Sequence, residues 1–386
     1  MDAKAAAKKG VSDGRDRLIE LSHRIHAHPE LGFEEERACA WVAEELDRAG
    51  LAVETGIGDL PTALAATAGG GPLTVAICAE YDALPDVGHA CGHNAIAAAA
   101  VGAGLALAPI ADDIGVTVRV IGTPAEEGGG GKILLLERGA FAGANAAMMV
   151  HPCSYERDRM PCLAVSHFEV EYHGKEAHAS AHPDEGINAA DAITLAQVAI
   201  GLLRQHMRAT DRVHGIVTLG GAAPNIVPAH VRGTWYARAR TLAELTEFEP
   251  RVRRCFEAGA LATGATLTYH ADPRPYSEFV TDDELADLYR ANAESLGRRF
   301  ADLGPEIDRK VGSTDMANVS LAMPTIHPML DIESEGATNH QKEFAAHCVR
   351  PAADRAVIEG AIAMAWTVID AATDPRVRDR LLSARA

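Results

Sequence analysis

Residues 73–107 read LTVAICAEYDALPDVGHACGHNAIAAAAVGAGLAL. Leu73–Ala79 is a nearly continuous apolar run, short enough to be a buried strand. Residues 94–107 are almost all alanine, glycine and aliphatic side chains, a length and composition that suit a buried helix. Between them lies His89-Ala90-Cys91-Gly92-His93. A loop leaving a strand and opening a helix sits in the crevice beyond the strand's carboxyl end, where α/β sheets bind ligands. His89, Cys91 and His93 alternate, so in an extended loop they face one side. Thiolate and neutral imidazole both suit zinc and neighbouring metals. A buried cysteine flanked by histidines bonded to loop backbone gives the same letters, so position carries the argument.

Two other strand-like segments end in the same way. Gly115–Ile121 reads as a strand and is followed by Glu126-Glu127; Ala146–Val150 reads as a strand and is followed by His151. Adjacent carboxylates raise each other's pKa unless a cation lies near. One as ligand and the other as general base resolves the conflict. A solvated helix N-terminus also favours acids, and any single Glu-Glu pair is explained as well that way. The glycines at 128–131 allow close backbone approach to a ligand, but Lys132 is followed by Ile133 and no Walker motif is formed. His340 and His327 are later candidates, and spacing does not choose between them.

Working outward, Asp13–His28 and Glu34–Ala49 carry apolar residues at helical spacing, and Ala63–Ala68 is strand-like. Strands alternating with helices predict an α/β domain: a mixed, largely parallel sheet with helices on both faces. The pattern changes near Leu163. Residues 163–173 alternate as a half-exposed strand does, and then come helix 188–205, strands 215–219 and 231–237, helix 242–262 and strand 265–270. That order is ferredoxin-like. We expect residues 164–272 to form an inserted α+β lid or dimerisation domain. The metal-binding catalytic domain is then discontinuous, residues 1–163 and 273–386. Helices are expected again at 282–296 and 352–372.

The 386 residues exceed what one core usually holds. A formal charge of −18 disfavours nucleic acid and anionic lipid as partners. The seven cysteines show no disulfide spacing, and no export signal is apparent, so reduced thiols in the cytoplasm are expected. No membrane span is expected; the nearest approach, residues 95–110, is Ala-rich and Gly-interrupted.

The ordered motifs Y-D-A-L-P, G-H-A-C-G-H-N, P-A-E-E-G and V-H-P resemble the aminoacylase/carboxypeptidase-G-like family of dinuclear metallopeptidases. The Cys-containing branch is the most similar, with its hippurate, auxin-conjugate, aminobenzoyl-glutamate and unusual-dipeptide hydrolases. The resemblance spans essentially the whole chain. It implies two divalent ions per subunit, zinc or manganese, held by Cys91, His93, Glu127, His151 and His340. Cys91 would bridge the ions. Glu126 would be the general base, and Asp82 would orient the site. Glu80 stands where some branches carry a histidine ligand, a departure that bears on the coordination sphere. The segment G-K-E-A-H-A-S resembles one that reaches the neighbouring subunit's active site, which assigns His178 to catalysis and implies a homodimer. Asn225, Arg238, Thr314 and His327 would contact substrate.

The expected activity is hydrolysis of the amide bond of an N-acyl amino acid or small dipeptide by a metal-activated water. A zinc nucleobase deaminase needs H-x-E and P-C-x-x-C, and this chain has no C-x-x-C. A catalytically inactive metal-binding or regulatory protein on the same fold is the alternative; it would have no use for Glu126.

Overall fold

The computed structural model describes residues 2–301, 304 and 311–384. The chain divides into two compact units, residues 1–161 with 279–386 and residues 162–278. The sequence reading cut at 163/164 and 272/273. The later return point has a physical cause: Tyr276 and Val165 exchange backbone hydrogen bonds, both 3.0 Å, which keeps residues 273–278 with the inserted unit.

With elements numbered in chain order, the first unit is built on a six-stranded sheet. Its strands are β1 (Ala52–Thr55), β2 (Leu64–Ala68), β4 (Val116–Thr123), β3 (Leu73–Glu80), β5 (Ala146–Met148) and β11 (Thr325–Ile326), in that spatial order. β1, β2 and β4 pair antiparallel; β4, β3, β5 and β11 run parallel. Successive side chains on a strand face opposite sides. Val75 and Ile77 enter one core with α4 (His93–Leu107), α2 (Arg15–Ala27), α3 (Glu36–Arg48) and α11 (Pro351–Thr373), while Ala76 and Cys78 enter a second core with Phe141, Met149 and Met316. Both faces being covered is why these strands read as apolar runs.

Glu80 pairs with Thr123, so the loops after β3 and β4 leave from one sheet edge. The strand expected at 146–150 ends at Met148. Its neighbour β11 runs into His327-Pro328, and proline has no N–H to give the ladder. Pairing resumes as β6 (His151–Cys153) beside β12 (Met329–Asp331). Helix α1 (Ala3–Asp13), strand β1 and helix α12 (Pro375–Ser383) were not foreseen. α1 buries Ala7 and Val11 in the first core. α4 with its following turn (93–110) and α11 are apolar and long enough to cross a bilayer, but 78% of each window is buried within the fold, as in core helices.

The inserted unit runs β7 (Ala164–His173), α6 (Ala189–Leu203), β8 (Arg212–Leu219), β9 (His230–Ala239), α7 (Leu242–Thr263), β10 (Thr266–Ala271). Its sheet is antiparallel throughout, in the order β10-β7-β9-β8. Val170, Tyr172, Val231 and Trp235 pack on Ile193, Phe248 and Phe256 from the two helices. The alternate residues, among them Glu169, Glu171, Arg232 and Tyr236, face away from that core and are only partly covered.

Candidate metal centre

Cys91 and His93 are separated by Gly92, whose φ of +82° starts α4. An added Cβ there would lie 2.9 Å from Pro152 Cβ, so glycine is required both by conformation and by space. The turn leaves the Cys91 sulfur on the loop and His93 in the first turn of a largely buried helix. His93 Nδ1 donates to Asp82 Oδ1 at 2.9 Å, while Asp82 Oδ2 accepts from Glu127 N at 3.0 Å. One buried carboxylate thus orients an imidazole and fixes the glutamate turn, the arrangement that outer carboxylates give metal-binding histidines.

The glutamates sit in a strained turn. Ala125 has φ +55°, and its N–H donates to buried Glu35 Oε1 at 2.8 Å. A Cβ on Gly131 would lie 1.8 Å from the Pro124 carbonyl oxygen, so α5 (Gly131–Glu137) can close onto the turn only with glycine there. Burial pushes the Glu35 carboxyl up to about 7.

His151 Nε2 lies 3.5 Å from Cys91 Sγ, and its Nδ1 is bonded to the Pro152 carbonyl at 2.8 Å. His340 Nε2 lies 3.6 Å from Cys91 Sγ and 3.6 Å from Glu127 Oε2. His340 has φ +71° and donates its N–H to Ala90 O at 2.8 Å, which pins its loop beside the cysteine. Asn339 Nδ2 donates to Pro152 O at 3.1 Å. His327 does not join this donor set. Its buried ring lies 5.4 Å from the His151 ring, and neither nitrogen has a hydrogen-bond partner.

Two donor groups therefore share Cys91: Cys91–His93–His151 and Cys91–Glu127–His340, the atoms of each within 4.8 Å of one another. Ligands about 2.0–2.3 Å from one ion at tetrahedral angles lie roughly 3.3–3.6 Å apart. The sulfur–imidazole separations of 3.5 and 3.6 Å match that span. His93 Nε2 and Glu127 Oε1, 3.8 Å apart, are buried without hydrogen-bond partners, a costly arrangement for polar atoms unless a cation takes them. The residues fit a pair of divalent ions with Cys91 between them.

Burial opposes a charged His93, but attraction to Asp82 outweighs it and lifts the imidazole well above its usual range. Burial, then Glu127, raises the Cys91 thiol well above its usual value. Burial, then His327, lowers His151 to about 3. Protons therefore compete with metal cations for His93 and Cys91, whereas His151 is neutral and free of that competition. Glu126 is raised well above the carboxylate range by burial and then by Glu80, Glu127 and Asp315.

Beside Glu126 lie Lys132 and Asp315, to which the sequence assigns no role, and Glu80, which it marks as a departure in the coordination sphere. Lys132 is fully buried, its Nζ 2.6 Å from Glu80 Oε1 and 2.7 Å from Asp315 Oδ1. Asp315 Oδ2 also accepts from Lys132 N at 2.8 Å. The second Glu80 oxygen lies 3.5 Å from His93 Nε2. Burial alone would neutralise Lys132, but Asp315 and Glu80 hold it charged. The available signal was a lone lysine opening an otherwise apolar helix, Gly131-Lys132-Ile133-Leu134-Leu135-Leu136. Thr314, next to this network, is buried with its hydroxyl accepting from Met316 N at 3.2 Å.

His178, Asn225 and Arg238 lie in the inserted unit. Ala179 N donates to Asn225 O at 3.0 Å, and His178 bridges Ile226, so the first two belong to one paired segment. The His178 ring Nδ1 accepts from Ala181 N at 3.2 Å. Arg238 is on β9, its Nε 3.2 Å from His214 Nε2 and its guanidinium 5.8 Å from the Tyr236 ring centre.

Residues 76–358 match peptidase family M20/M25/M40. The Xaa-Arg dipeptidase of Mus musculus is 39% identical, over 96% of this chain and 89% of its own. Thermostable carboxypeptidase 2 of Saccharolobus solfataricus is 32% identical, over 89% of this chain and 94% of its own. The crystal structure of the Bacillus subtilis YXEP protein, described as a dinuclear metal-binding peptidase, superposes with a TM-score of 0.66 at 21% identity, covering 93% of this chain and 99% of that one.

Proposed function

We propose a function from the premise that the chain belongs to peptidase family M20/M25/M40. It is a metal-dependent hydrolase of the amide bond in a small dipeptide or N-acyl amino acid. The observation that carries this reading is the convergence of Cys91, His93, Glu127, His151 and His340 on two donor groups beside Glu126. When bound, a pair of divalent ions supplies Lewis-acid polarisation of the scissile carbonyl and a more acidic water. Zinc and manganese are the candidates that the donor chemistry favours.

The residues divide the remaining work. Glu126 takes the proton of the attacking water on its carboxylate and passes it to the leaving nitrogen. Asp82 keeps His93 and the Glu127 turn in place. His178, supplied by a second copy of the chain, donates to the developing oxyanion. Asn225 and Arg238 hold the substrate's free carboxylate, and Thr314 and His327 line the site.

Within this class we place the substrate among dipeptides with a basic C-terminal residue. The similarity to the Xaa-Arg dipeptidase supports this, as does a net charge of −18, which draws cationic substrates in. Metal-loaded protein is expected to cleave Xaa-Arg dipeptides about 10- to 100-fold better, by kcat/KM, than their C-terminal methyl esters, the range for losing a charge-assisted hydrogen bond. Equal values for acid and ester would remove Asn225 and Arg238 from carboxylate recognition.

We also propose a homodimer formed through the inserted unit. β8 is an edge strand with Ile216 65% exposed, and α6 presents Leu195, Val198 and Leu202, the last 71% exposed, at helical spacing. An apolar, unpaired edge invites strand pairing with another chain. Light scattering is expected to give twice the chain mass, falling to the single-chain mass in Leu202→Glu/Ile216→Asp. A monomeric parent protein would refute the dimer. We place the protein in a reducing, cytoplasmic setting, a reading supported by seven buried cysteines that form no disulfide.

A further inference from the structure

A second set of metal-type donors lies on the inserted unit's sheet, on the face turned away from its helices. His173 closes β7 and His230 opens β9, and the two are directly paired across the strands. Their rings stack with centres 4.6 Å apart. Both Nε2 atoms converge on one oxygen of Glu171: His230 Nε2 is 2.7 Å and His173 Nε2 is 3.4 Å from Oε2. The three donor atoms lie within 4.8 Å of one another. The other carboxylate oxygen, Oε1, faces Arg232 Nε at 3.2 Å. The Arg232 charge thus lies on the Oε1 side, and Oε2 is the oxygen that faces the histidines.

We propose that His173, His230 and Glu171 form a further binding site for a borderline divalent transition ion such as zinc, nickel or cobalt. Two imidazoles and one carboxylate are a donor set that holds such ions with positions open to water. Oxygen-seeking magnesium and calcium are excluded by the nitrogen donors. The cross-strand pairing holds both histidines on one ladder, and an ion would replace the 2.7 Å hydrogen bond between His230 Nε2 and Glu171 Oε2, the two atoms parting by side-chain rotation alone. The histidines are partly exposed, so an ion reaches them from solvent without opening the fold. Arg232 places a positive charge near the ion, so this site is weaker than the buried centre.

The location gives the site a consequence. The ladder continues past the pair through Gly174 N to Ala229 O at 2.7 Å, Val227 N to Ala177 O at 3.0 Å and Ala179 N to Asn225 O at 3.0 Å. The segments bearing His178 and Asn225 therefore spring from the two strand ends that the ion ties together. Occupancy stiffens the base of both segments.

The test is zinc binding by the full chain, followed by calorimetry and by metal analysis after dialysis, in parent protein and in His173→Ala/His230→Ala. Both changes lie on a partly exposed face outside the buried donor set, so the double variant keeps the two central ions. The parent is expected to bind one more zinc per subunit than the variant, at least 10-fold more weakly than the central pair, with nickel competing for it and magnesium not. Glu171→Gln is expected to weaken that extra ion at least 10-fold while leaving the number of central ions unchanged. Equal stoichiometry and equal affinities in parent and double variant would overturn the proposal, and so would loss of the extra ion to magnesium. None of these readouts uses turnover, so they stand apart from the amidase reading.

Discussion

Glu126→Gln is expected to reduce kcat on a dipeptide substrate by about 10²–10⁴-fold, the contribution a positioned general base makes, while the protein keeps both metal ions and its melting temperature. The argument is geometric first. Glu126 Oε2 lies 3.8 Å from His93 Nε2, next to the buried donors, but Glu127 is the member of the pair that approaches His340. Both glutamates lie 3.8 Å from His93 Nε2, and Glu127 also comes within 3.6 Å of His340 Nε2, which places it between the two donor groups. Burial and the neighbouring acids Glu80, Glu127 and Asp315 raise the Glu126 carboxyl well above the ordinary carboxylate range. Glutamine keeps the shape and loses the ability to accept a proton. Metal content by mass spectrometry, circular dichroism and steady-state kinetics on the same preparation check it. Near-full turnover with intact metal would assign the base elsewhere; loss of metal together with turnover would make Glu126 a ligand instead.

The second large effect is on stability. Lys132→Met is expected to cost about 3–5 kcal/mol, the penalty for truncating one partner of a buried ion pair. Lys132 Nζ is the shared counter-ion of Glu80 and Asp315, at 2.6 and 2.7 Å, and all three side chains are fully buried. Removing it strands two carboxylates, with Glu126 close by, in a region without solvent. A drop in melting temperature on the order of 10 °C follows. The triple variant Glu80→Gln/Lys132→Met/Asp315→Asn separates charge from shape. Neutralising a whole buried network is often nearly neutral for stability, so the triple variant is expected to recover most of the loss. A triple variant as unstable as Lys132→Met would mean that packing, not charge, dominates at this position.

The fold was legible where it depends on local pattern. β3 is covered on both faces and reads as an apolar run, β4 alternates at its start where Thr117 and Arg119 are only partly covered, and β7 and β9 show the alternation of a sheet with one covered face. The site was legible where chemistry-bearing residues follow a strand: Cys91 and His93 after β3, Glu126 and Glu127 after β4, His151 after β5. What could not be read depends on partners far away in sequence. His340 and His327 look alike as letters. His340 reaches the sulfur because its N–H is held by Ala90, at φ +71°, while His327 is confined behind His151 by the strand it follows. Lys132 and Asp315 are 183 positions apart, and no periodicity links them. Glu35 is a similar case: an acid in a polar-looking stretch turns out to hold the backbone N–H of the strained Ala125.

The pairing of β5 with β11 and of β6 with β12 has a consequence for biogenesis. Thr325 aligns with Ala147 and Met329 with His151, so strands made before the inserted unit wait for strands made after it. Such long-range parallel pairing is slow to form. While the nascent chain is on the ribosome, Cys91, His93, Glu127 and His151 are already synthesised, but His340 is still to be translated. The inserted unit, continuous in sequence, can fold before then. Ion loading is thus a late event in the life of each polypeptide, and a chain terminated ahead of residue 325 would lack both the closing strands and the last imidazole.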